Sequence, residues 1–240
     1  GSGQAPLLVH LPPYNPAIRA HPQFVAAGFN VLHVSPLGYV TPKGSRLESC
    51  ADERCPVLPD TITSFGACGY VGWLRDVLVA VRWARMRPEV TSDRIGCFGT
   101  SGGGGGALLV GSLLRDDGCR AVAADLPFLT DFRSMVNAQD PGAYRIARDA
   151  LRDVERSSPE RLCDAWRAVG FVDTLSHVHR LCMPTLLVGA TDDDTTPAGT
   201  VRALFERLSG TRSYTELGGQ EHSYTVPFLH LAASWFRLCV

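Results

Sequence analysis

The chain has 240 residues, 45% hydrophobic and 20% charged, with a mean hydropathy of +0.03, a composition that excludes a disordered tail or a fibrous repeat. Its 23 basic and 24 acidic residues leave a formal net charge of −1, with no basic block longer than two residues, so nucleic acid is not an expected partner. No apolar run approaches the ~20 residues of a bilayer span, and no membrane segment is expected.

Short apolar runs ended by Gly, Pro or Asp recur at residues 6–11, 28–35, 94–98, 121–126, 184–190 and 214–217. Most are followed by a stretch of helical period, an alternation that predicts an α/β fold, a mostly parallel doubly wound sheet. Residues 72–86 place Leu74, Val77, Leu78, Val81 and Trp83 near one face at helical spacing, the face expected to pack on the sheet. Residues 130–180 are rich in Arg and Asp, with scattered apolar positions and no strand pattern. They predict a helical insertion, a lid before the penultimate strand, over the carboxyl ends where such sheets bind ligands. Residues 200–208 and 227–238 read as helices, the last closing a single domain over 4–240.

A chain of this length buries about three quarters of its unfolded surface and needs no disulfide. The cysteines, Cys50, Cys55, Cys68, Cys97, Cys119, Cys163, Cys182 and Cys239, form no CxxC pair and no histidine-interleaved zinc spacing. Neither a metal nor an organic cofactor is expected, and a reduced, cytoplasmic protein is. Cys97 and Cys182 stand in apolar runs where a thiol packs as a small hydrophobe. Cys50 and Cys55 alone share a loop in which a local bridge is conceivable.

The strongest chemical signal is Gly99-Thr100-Ser101-Gly102-Gly103, a GxSxG placed directly after a strand-like run and before a helical one. A serine on so sharp a turn needs glycine two residues to either side, and the N-terminus of the following helix offers the Gly102 N–H to an oxyanion. The glycine run 102–106 exceeds what the turn needs; it implies close backbone approach or a mobile segment, and the sequence does not choose. A serine needs a base, and His177, His179, His222 and His230 lie downstream. His222, in Gly218-Gly219-Gln220-Glu221-His222, follows the last strand-like run and is the favoured base. The acid should leave the penultimate strand, where TLLVGATDDDTTP offers Asp193 by its spacing to Pro197, with Asp192 the alternative. Pro12 and Pro13 lack an N–H, so the second oxyanion donor after the first strand is the Tyr14 amide.

The stretches RDVLVAVRW, SDRIGCFGTSGGG, RAVAADLPFLTDF, PTLLVGATDDDTTPAGTV and the terminal QEH run in one order along the chain. Together they resemble the acetyl xylan esterase and cephalosporin C deacetylase family, carbohydrate esterase family seven of the α/β-hydrolase superfamily. The resemblance implies an α/β-hydrolase fold with Ser101 as nucleophile, Asp193 as acid and His222 as base. It also implies that the Phe128 region forms part of the acyl pocket. Three features depart from the family pattern: Gly102 replaces its usual Gln, His10-Leu11-Pro12-Pro13-Tyr14 stands where it has His-Gly-Tyr, and the strands it carries before the oxyanion strand are not in this sequence. The expected activity is hydrolysis of short-chain acyl esters, acetyl first, through an acyl-enzyme on a small-molecule acyl ester. A thioesterase or acyltransferase acting on a carrier-bound acyl chain is the alternative, and the sequence leaves open whether the chain forms a homo-oligomer.

Overall fold

The computed structural model describes residues 3–13, 20–35, 62–223 and 226–240; Tyr14, Cys50 and Cys55 lie outside them. Six strands, β1 (Ala5–Leu11), β2 (Asn30–His33), β3 (Val90–Thr100), β4 (Cys119–Asp125), β5 (Thr185–Ala190) and β6 (Arg212–Leu217), form one sheet in the order β2-β1-β3-β4-β5-β6. Every neighbouring pair is parallel. Each observed strand overlaps one of the six apolar runs; the central strands are apolar almost throughout because both faces are covered, while the edge strands β2 and β6 are only half-buried.

Alternate residues of the strands feed two cores. Leu7, Val9, Cys97, Val122 and Leu187 face α2 (Gly69–Arg85), α3 (Gly102–Leu113) and α7 (Ala198–Arg207). Leu8, Phe98, Ala123, Leu186 and Val188 face Phe24 of α1 (Pro22–Ala26) and Phe228, Ala232 and Phe236 of α8 (Val226–Cys239). Among the described residues no helix is long and apolar enough to cross a membrane.

Strand order reverses between β1 and β3: the chain leaves β1 outward to β2, then returns past β1 to build β3 to β6 on the other side. Ligand crevices in open α/β sheets lie at such a switch point, outside the carboxyl ends of the strands. Here those two ends are Leu11-Pro12-Pro13 and Thr100-Ser101.

Two expectations need correction. Trp83 is 54% exposed, with the Arg87 guanidinium 5.4 Å over its ring. The buried stripe of α2 is Tyr70, Trp73, Leu74, Val77, Val81 and Ala84. Steps of three and four run from Leu74 to Ala84, and Trp83 lies about 100° off that stripe. Cys182 is exposed, because β5 starts only at Thr185, beyond the break at Pro184.

Between β4 and β5 the chain builds α4 (Phe132–Val136), α5 (Arg145–Ser157) and α6 (Leu162–Gly170) with three short 3-10 turns. Asp173 anchors this segment, accepting hydrogen bonds from the amides of Asp131 and Phe132 at 3.0 Å each. Burial raises the Asp173 carboxyl above its ordinary value, opposed by the amides of Leu175, Asp131 and Phe132. On the other side the Ala143 amide donates to the Thr195 carbonyl at 3.3 Å. The helices thereby dock on the loops that leave both β4 and β5.

Candidate active site

Ser101 is the single residue between β3 and α3, and its backbone, at φ 57° and ψ −123°, makes the whole turn. Such a conformation costs a residue with a Cβ about 1–3 kcal/mol, so the surroundings must hold it. They do so through backbone hydrogen bonds at 2.9 Å: the Ser101 amide donates to the Asp125 carbonyl, and the Phe128 amide donates to the Ser101 carbonyl. The turn also folds Gly99 against Gly103, where a methyl on Gly99 would strike the Gly103 carbonyl. That contact requires glycine at 99, and the carbonyls of Leu11 and Pro12 require it at 103.

The glycine run is buried throughout, which settles the choice that the sequence left open. A methyl on Gly103 would fall on the carbonyl oxygen of Leu11, and one on Gly105 on that of Phe128. Close approach, from β1 on one side and the segment after β4 on the other, is the reason for the glycines. That segment carries three further residues with positive φ, Leu126, Leu129 and Asp131, at 44°, 67° and 58°. It wraps the serine turn with its backbone; the Phe128 ring itself is buried against Phe132 and Tyr144, with centroids 5.8 and 4.6 Å away.

His222 lies on the loop between β6 and α8, its Nε2 2.9 Å from Ser101 Oγ and its Nδ1 2.8 Å from Asp193 Oδ2. With Nδ1–H donating to the carboxylate, Nε2 is left as the acceptor for the serine hydroxyl. Asp193 is 5% exposed and held from four directions. Its Oδ1 accepts the amides of Thr195 and Thr196 at 2.9 and 2.7 Å, and its Oδ2 accepts the Thr196 hydroxyl at 2.7 Å beside the imidazole. Burial alone would raise this carboxyl; the bonds from His222 and Thr196 outweigh it and hold the group below the ordinary carboxylate range. Asp192 is exposed and accepts from Thr191 Oγ1 at 2.8 Å, so the structure brings Asp193 and not its neighbour to His222.

Thr196 was not singled out by sequence. Its hydroxyl proton goes to Asp193, the shorter and charge-assisted contact, while the Leu126 carbonyl lies 3.2 Å away. The signal available was only its place three residues after Asp193, where an Asx-type turn puts an amide on the carboxylate. His177 and His179 lie in the 3-10 turn Thr174–Arg180 and His230 in α8, leaving His222 as the histidine at Ser101. Gly102 opens α3, in the first turn whose amides have no intrahelical acceptor. Tyr14 lies outside the described residues.

A serine on a strand-to-helix turn of a parallel sheet, with a histidine beyond the last strand, defines an α/β-hydrolase. The sequence profile of the acetyl xylan esterase (AXE1) family matches residues 70–238, and the chain belongs to that family. Solved structures agree in fold. The acetyl xylan esterase from Paenibacillus sp. R4 superposes with a TM-score of 0.80 at 23% identity, over 99% of this chain and 75% of that one. Acetyl xylan esterase 1 from Thermoanaerobacterium sp. JW/SL YS485 gives 0.73 at 21%, over 98% and 74%. The acylaminoacyl peptidase of Pyrococcus horikoshii gives 0.67 at 16%, over 98% of this chain and 36% of its own.

Proposed function

We propose that this chain is a serine esterase that removes short acyl groups, acetyl first, from a small-molecule ester. The observation that carries the reading is the unbroken contact from Ser101 Oγ through His222 to Asp193, at 2.9 and 2.8 Å. Membership of the acetyl xylan esterase family favours acetyl as the acyl group.

Ser101 Oγ attacks the ester carbonyl as His222 Nε2 takes its proton. Asp193 stays ionised, orients the imidazole and stabilises its cation. The oxyanion is held by the Gly102 amide and by the Tyr14 amide. His222 then protonates the leaving alcohol, and water, activated by the same imidazole, releases the acid and restores Ser101. The Phe128 segment forms the wall on the acyl side, and the helices between β4 and β5 act as the lid.

Hydrolysis of p-nitrophenyl acetate, of longer p-nitrophenyl esters and of acyl thioesters, by the wild type and Ser101→Ala, tests the reading. Acetate should be the best substrate, with kcat falling about 10⁵- to 10⁶-fold in the variant. A preference for long acyl thioesters would replace the deacetylase reading with a thioesterase. Failure of a fluorophosphonate probe to label Ser101 in folded protein would sink both.

A further inference from the structure

Three histidines that the esterase chemistry does not use meet on the opposite face of the sheet from α3. His10 is in β1, His33 is opposite it at the end of β2, and His21 precedes α1. One nitrogen of each lies within 4.8 Å of the other two. His10 Nδ1 is 2.8 Å from His33 Nδ1 and 3.1 Å from His21 Nε2.

Hydrogen bonding alone serves this arrangement poorly. A ring nitrogen has one in-plane valence, filled by a proton or by a lone pair, so His10 Nδ1 can donate to one neighbour or accept from one. Two nitrogens compete for it. A cation that takes the lone pair of each ring removes the competition, and its geometry fits. Zinc–nitrogen bonds of about 2.0–2.1 Å at tetrahedral angles put ligand nitrogens about 3.3 Å apart, between the shortest and longest separations here.

We propose that His10, His21 and His33 bind a divalent transition metal, Zn²⁺ first, which ties β1, β2 and the start of α1 together. Among the described residues the donors are three imidazoles, a set that suits zinc, copper and nickel rather than calcium or magnesium. The outer contacts are of the kind that hold a ligating ring. His33 Nε2 lies 3.2 Å from Ser35 Oγ, to which its N–H donates once Nδ1 is on the metal. Phe98 stacks on the His10 ring at 4.7 Å and meets His21 edge-on at 5.1 Å. His21 and His33 also line a surface depression with Pro22, Val25 and Val31, which gives the ion an entry path. Cysteine spacing could not reveal this site. The signal lay in the pairing of His10 with His33 across two parallel strands.

The test is independent of the esterase reading. Protein stripped with a chelator is titrated with Co²⁺, then with Zn²⁺, following visible absorption and the thermal midpoint. One Co²⁺ per chain should bind with the strong absorption of a four-coordinate site, be displaced by Zn²⁺, and raise the midpoint. His33→Gln and His21→Gln should lose both effects with an unchanged circular dichroism spectrum, while His177→Gln keeps them. Absence of the Co²⁺ band in the wild type, or equal uptake by His33→Gln and His21→Gln, overturns the proposal; the wild-type titration decides it even where one variant fails to fold.

Discussion

The α-carbon of Gly103 faces the carbonyl oxygen of Leu11 so closely that a methyl placed on it would overlap that oxygen. Alanine at Gly103 would gain about 1 kcal/mol of helix propensity. It would also press on backbone atoms that cannot rotate away, and overpacking of that kind costs about 1–3 kcal/mol or more. Packing wins, so Gly103→Ala should destabilise the protein. Gly72, in α2 with no atom of the other described residues beyond its own helix turn within 4 Å of an added methyl, is the control: Gly72→Ala should stabilise by about 0.5–1 kcal/mol. Urea midpoints of the two variants should move in opposite directions.

Thr196 is a positioning residue for Asp193. Thr196→Val removes the hydroxyl bond to Oδ2 and keeps the amide bond to Oδ1. A hydrogen bond to a charged group is worth about 1.5–3 kcal/mol, so kcat on p-nitrophenyl acetate should fall about 10- to 100-fold with KM little changed. Thr196→Ser should restore most of the rate. A drop in KM-limited binding alone, with kcat intact, would count against the assignment.

These two cases mark where sequence was informative. Strands such as β4 and β5 were legible because burial on both faces makes them continuously apolar, and GxSxG was legible because the turn itself demands glycine. The glycine run, by contrast, owes its burial to Leu11 and Phe128, residues distant in sequence, and local pattern holds no trace of such contacts. Trp83 misled because Trp73 and Trp83 stand nearly three turns apart on one helix, and only packing against Val34 and the glycine face of α3 selects Trp73. Thr196 was missed because many threonines stand three residues after an aspartate, and the histidine cluster because it depends on which strands pair, His10 of β1 with His33 of β2.

Acid stability should report the Asp193 environment. Its carboxyl is held below the ordinary value of 3.8, despite burial, by His222 and Thr196. A group whose folded pKa is depressed contributes stability that is complete above the unfolded pKa and lost as pH falls through the folded one. Wild-type stability should therefore decline with falling pH below the ordinary carboxylate range, and Asp193→Asn should flatten that decline. Denaturant unfolding across the acidic range measures both slopes; parallel slopes would refute the coupling.

The strain at Ser101 predicts a trade between stability and activity. Ser101→Ala and Ser101→Gly both remove the hydroxyl at His222, so their difference isolates the backbone. Glycine relieves a conformation at φ 57° that costs a residue with a Cβ about 1–3 kcal/mol. It forfeits about 0.4–1 kcal/mol by loosening the unfolded chain. Relief is the larger quantity, so Ser101→Gly should be the more stable of the two by about 1 kcal/mol, read as a higher urea midpoint at equal slope. Equal midpoints would mean that the turn is held without strain, and that the bonds from Asp125 and Phe128 only accompany it.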